Sequence, residues 1–134
     1  MYNNEISEIN LEKLIDSLII DISDYNVASV ISSILKNKYK YIGNNKWEYY
    51  DNKQESWIND IKNKKFISDI NTNITNLVLN RIYYYEKLKK ININNIDLYN
   101  SYDISNKKLL NIISKFHNKK YLNSIIREVK PFFN

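Results

Sequence analysis

Cysteine is absent from this sequence, and glycine, proline and histidine occur once each. Without thiols there can be no disulfides and no thiolate metal sites. A phosphate-cradling nucleotide loop needs several glycines and a Gly-Lys-Ser/Thr close. Gly43 stands alone, so ATP hydrolysis is excluded for this chain by itself. Nucleophilic catalysis by a serine would have to use His117, the sole histidine, beside Asn118 and Lys119 at a helix break. A solvated loop residue is the simpler reading of it. A replication-initiator nuclease needs paired histidines for its metal, and one cannot supply them.

Arginine is also scarce, with Arg81 and Arg127 against 18 lysines. Tyrosine-based strand transfer needs several Arg or His groups on the phosphate. Tyr83-Tyr84-Tyr85 therefore reads as core and amphipathic rim rather than as a nucleophile. Asp51-x-Lys53 resembles a piece of a metal-nuclease strand, but without a second acid just upstream it reads as a turn. No catalytic residue, metal, cofactor or small-molecule substrate is expected. Long apolar runs are missing too: Leu18-Ile19-Ile20 is typical, too short to cross a bilayer. Met1-Tyr2-Asn3-Asn4-Glu5 has no basic stretch leading into an apolar one, so no secretory signal is expected. An intracellular setting without membrane attachment follows as the expectation.

What the chain does contain is Asn (23), Ile (23), Lys (18) and Tyr (12), all served by A/T-rich codons. Genome bias thus accounts for much of the lysine surplus, and the net charge of +5 is weak testimony to nucleic-acid binding. The charge is uneven nonetheless. Residues 1–35 sum to −5, residues 36–65 to +4 and residues 66–134 to +6, a polarity that can orient a chain on an anionic partner.

Hydrophobic spacing predicts a single α+β, mainly α domain over residues 1–134. Leu11, Leu14, Ile15, Leu18 and Ile19 mark an acidic first helix capped by Asn10, within an N-terminal extension of residues 1–24. Val27, Val30, Ile31, Ile34 and Leu35 mark a second, capped by Asp24. From Tyr39 to Ile58 the pattern alternates, with turn signals at Gly43-Asn44-Asn45 and Asp51-Asn52-Lys53. That reads as a short antiparallel aromatic hairpin of two or three strands. Trp47 and Tyr49 fall on one face, Glu48 and Tyr50 on the other. Trp47, Tyr49 and Trp57 are assigned to the hairpin core, although either tryptophan could stack on bases.

Ile67, Ile70, Ile74, Leu77, Val78, Ile82, Tyr85 and Leu88 predict one long central helix over roughly 64–90. A polar linker, Asn92 to Ser101, is expected next. An antiparallel helix pair closes the chain, its first helix capped by Ser105 and its second stopped at Pro131.

The hairpin from Tyr39 to Trp57 and the close from Leu109 to Phe133 resemble the amino-terminal or collar domain of poxvirus-type primase-helicases. That module is shared by large DNA viruses and by phage and plasmid primases. The likeness covers residues 25–133. Asp51-Asn52 stands where the family usually has Asp-Gly, and asparagine tolerates that backbone. The family's primase and superfamily 3 helicase modules do not fit in this chain. The resemblance implies a non-catalytic accessory of viral DNA replication, at a cytoplasmic or nuclear replication site. It would dock on replicative helicase-primase subunits or self-assemble near DNA. Two alternatives stand beside it: a free nucleic-acid-binding protein, or a viral structural or host-interaction protein. The candidate nucleic-acid surface is Lys107, Lys108, Lys115, Lys119, Lys120 and Arg127, with Lys130 beside them. Within it Lys115, Lys119 and Lys120 are expected to converge at the last interhelical loop. Lys62, Lys64 and Lys65 form a second, weaker cluster.

Overall fold

Two serines, each with its hydroxyl turned back on the chain, begin the structure, a computed structural model that describes residues 7–134. Met1 to Glu5, on which the secretory reading and part of the acidic count rest, lie outside the described residues. The Ser7 hydroxyl accepts from the Asn10 N–H and opens α1 (Glu8–Ile20). The Ser23 hydroxyl accepts from the Asn26 N–H and opens α2 (Asp24–Leu35). The caps expected at Asn10 and Asp24 are thus corrected: both lie inside their helices. A serine ahead of the helix can reach an otherwise unpaired N–H, and one inside cannot. α1, the acidic helix of the expected N-terminal extension, buries Ile15 and Leu18 in the common core. Asp16 of α1 holds Arg81 at 3.0 and 2.8 Å, and Glu12 lies 3.5 Å from it.

Three antiparallel strands follow in sequence order: β1 (Tyr39–Gly43), β2 (Lys46–Asp51) and β3 (Ser56–Asn59). Asn44 and Asn45 both take positive φ at the first turn, which is what the Gly-Asn-Asn signal predicts. In the second turn Asp51 accepts from the Lys53 N–H at 2.9 Å, as a turn reading requires. Its left-handed residue, however, is Glu55 and not Asn52.

Register separates the two tryptophans. Tyr41 pairs with Trp47, and Tyr39 with Tyr49 and on to Ile58, on the inner face. Trp47 is 1% exposed between Phe66 and Phe133, with Tyr49 packed at the core's margin. Trp57 pairs with Tyr50 on the outer face and is 37% exposed, so its assignment to the hairpin core is corrected. Lys40 lies 4.3 Å over its ring instead.

Asp60 ties the sheet to the long helix. Buried, its two carboxylate oxygens accept from the N–H groups of Lys65 and Phe66 at 2.8 and 3.0 Å. A 3-10 turn, Ile61–Asn63, leads into α3 (Lys64–Asp69) and a π-helical turn (Ile70–Ile74). α4 (Thr75–Ile91) completes the predicted central helix. Its buried apolar residues are Phe66, Ile70, Ile74, Val78 and Ile82, a strict spacing of four. In a straight α-helix each such step drifts by about 40°, so the five would wind through about 160°. The wider turn at Ile70–Ile74 takes up part of that drift and keeps the row on the core.

The expected linker is much shorter than Asn92 to Ser101. Asn95, not Ser105, caps α5 (Ile96–Phe116), accepting from the Leu98 N–H at 3.2 Å. Asn118 caps α6 (Lys119–Val129), and Pro131 sits in a closing 3-10 turn, Lys130–Phe133. α5 runs antiparallel to α4, since Ile82 meets Asn106, Tyr85 stacks on Tyr102 and Lys89 reaches Tyr99. α6 meets α5 at their shared corner, where Phe116 lies on Tyr121, and packs chiefly on α2 rather than on α5, its expected partner. Phe133 brings the C-terminus under Trp47. The fold is therefore α+β and mainly α, with a small sheet covering one end of a helical core.

Candidate functional site

Lysines cost too much to bury, so their usefulness depends on what each one already holds. Lys107 forms an ion pair with Asp103 at 3.1 Å, one turn earlier on α5. Lys108 donates to the Ile19 carbonyl at the end of α1, at 3.3 Å, where a cation suits the helix dipole. Lys130 donates to Asn45 and lies over the Tyr41 ring, so it fastens the C-terminus to the hairpin. These three serve the fold.

Lys115 and Lys120 do come together. They line a shallow groove of about 460 Å³ at the α5–α6 corner, with Ser114, Asn118, Tyr121 and Ser124. Lys119, expected to converge with them, is exposed but not part of the groove wall. Arg127 adjoins it through Ser124, to whose hydroxyl it donates at 3.3 Å. Asn118 accepts from the Tyr121 N–H. The first N–H groups of α6 point out of the same end of the helix, as at any helix start. Lys115 lies 5.5 Å over the Tyr121 ring. Burial, and then the charge of Asp24, push the Tyr121 hydroxyl up to about 12, so it stays protonated. This corner can attract phosphate by charge and offer it hydroxyl and amide donors. The lysines of the weaker cluster, Lys62, Lys64 and Lys65, are all exposed where α3 begins; the Lys65 backbone N–H donates to Asp60, and Lys62 takes a left-handed conformation just before the helix.

The tyrosine run occupies a different role. Tyr84 and Tyr85 flank the Arg81 guanidinium, 4.3 and 5.2 Å from their rings, and Arg81 is held by Asp16. Burial, before any other influence, raises the Tyr85 hydroxyl above its ordinary value, the opposite of what a nucleophile needs. His117 is an exposed residue at the end of α5, as the loop reading has it.

A feature with no warning in the sequence lies at the far end of α4 and α5. From Tyr83 to Ser105 no residue is buried, so this helical hairpin projects from the core as an arm. Ten residues of α5 belong to it, about 15 Å of helix. Its inner seam is polar: Lys89 bridges Glu86 at 3.2 Å and Asp103 at 3.0 Å, and Asn106 donates to Glu86 at 2.8 Å. Its end is apolar. Ile91, Ile93, Ile96 and Leu98 are 76, 67, 65 and 39% exposed within eight residues of sequence. Scattered exposed side chains need no explanation, but four together at the tip of a projection do.

Among the described residues no helix is long and apolar enough to cross a membrane. No protein-family model matches the chain, and no curated protein matches it in sequence.

Proposed function

We propose that the chain is a non-catalytic docking module of viral DNA replication, of the kind found in the collar of primase-helicases. In this reading it joins replicative helicase-primase subunits by apolar contact, held near DNA by weak electrostatic attraction. The observation that carries the reading is the α4–α5 arm, which places four large aliphatic side chains in water and draws on none of them for the core. Burying such a patch on a partner returns about 25 cal/mol for each Å² of apolar surface covered.

Size-exclusion chromatography of the pure protein with a poxvirus-type helicase-primase ring tests it. Co-elution that is lost in the Ile91→Lys, Ile96→Lys double variant is the expected result. Both positions are exposed, so the variant keeps the fold. Absence of co-elution with the unaltered chain would remove the reading.

The basic groove favours a second reading, direct binding of nucleic acid through Lys115, Lys120 and Arg127. Neutralising three phosphates would give a log–log salt slope of about −2.7 on random-sequence duplex. A flat profile would dismiss it.

A further inference from the structure

The arm differs electrically from the rest of the molecule. Residues 83–105 carry three lysines and three acids, a net of zero within a chain of +5. The signs are sorted by helix. The α4 half holds Lys87, Lys89 and Lys90 against Glu86, and the α5 half holds only Asp97 and Asp103. Lys89, Glu86 and Asp103 satisfy one another across the seam. Left over are Lys87 and Lys90 on one helix and Asp97 on the other, all exposed and without an ion pair to any described residue.

We infer that the partner of this arm is the same arm of a second copy of the chain. Two hairpins packed about a two-fold axis make a four-helix bundle in which each α4 half lies on the other copy's α5 half. That arrangement sets leftover lysines against leftover aspartates twice over, and it closes the apolar tips on each other. A nucleic acid would repel Asp97 and leave the isoleucines wet, and a strongly acidic or basic protein would meet like charge on one of the two helices. Only a surface sorted in the same way answers both helices at once. Each copy's arm also shows Tyr83, Tyr84 and Ile104 at 61, 45 and 54% exposure. This inference rests on the arm as a contact surface, as the docking reading above does, and assigns that surface a second copy in place of the helicase ring.

Sedimentation velocity of the full chain over a wide concentration range tests it. A concentration-dependent dimer is expected. Lys87→Glu with Lys90→Glu makes every unpaired charge of the arm acidic, and Asp97→Lys makes every one basic. Each variant alone should dimerise about tenfold or more weakly, and an equimolar mixture should recover a mixed dimer. Far-UV circular dichroism serves as the control on folding, since all three side chains are exposed. An unaltered chain that stays monomeric up to its solubility limit overturns the inference, and so does a dimer indifferent to these substitutions. If the chain is monomeric yet still co-elutes with a helicase ring through Ile91 and Ile96, self-pairing falls and docking stands. A dimer that ignores the ring gives the reverse.

Discussion

Two tryptophans ten positions apart show what a single residue's setting decides. Trp47 touches Phe66 and Phe133 with ring centroids 5.4 Å away in both cases, and Trp57 touches Tyr50 and a lysine. Trp47→Ala should cost about 3–5 kcal/mol, the range for emptying a buried aromatic site. Trp57→Ala should cost under about 1 kcal/mol. Urea denaturation of both variants checks the pair, and similar midpoints would contradict the register. Trp47 was legible because strand alternation within β2 fixes its face. Trp57 was not, because the turn between β2 and β3 sets the parity, and side chains change face with every residue the turn gains or loses. Asp60 gave no sequence signal either, as it acts from five and six residues upstream of the N–H groups it holds. Asp60→Ala leaves both without a partner and should cost about 1–2 kcal/mol by the same measurement.

Elements were legible where they advertise a core. The row from Phe66 to Ile82 repeats every fourth residue, and the long helix follows from it directly, with only the π-helical turn unannounced. The arm advertises nothing. Between Asn92 and Ser101 the apolar residues face water, so their periodicity carries no burial and the segment reads as a linker. The helix holds there through the seam of Tyr85, Tyr102, Lys89 and Asp103. That seam has a pH limit. The Asn106 amide and then Lys89 keep Glu86 below its ordinary range, and Lys89 and then Lys107 keep Asp103 below its own. Carboxylates lowered in the folded state stabilise it above their unfolded pKa of about 4, and that contribution is lost as pH falls further. Protection from hydrogen exchange, relative to the intrinsic rate at each pH, should therefore fall across residues 83–105 as the pH drops below about 4, ahead of the Phe66–Ile82 stretch. Simultaneous loss of protection in both regions would show that the arm is not a separate unit.

At the scale of the whole molecule, charge is distributed by structural use more than by sequence position. The acids of α1 are drawn toward Arg81, Lys108 is spent on the end of α1, and Lys107 is spent on Asp103. Of the three lysines expected to converge at the last interhelical loop, Lys115 and Lys120 line one groove, with Arg127 at its margin and Lys119 off its wall. The pairing of Lys107 with Asp103, four residues back, was hidden because the helix was expected to start only after Ser105, and the partner of Lys108 is set by tertiary contact. Duplex binding should respond accordingly. Lys115→Glu with Lys120→Glu removes two phosphate contacts and should flatten the log–log salt slope by about 1.8, while weakening binding on every sequence alike. Lys107→Ala, which takes away a residue already neutralised by Asp103, should leave the slope nearly unchanged. Fluorescence anisotropy on a labelled random duplex, titrated with salt for each variant, separates the two. Equal losses from both would mean that the groove has no special standing and that attraction is spread over the whole basic surface.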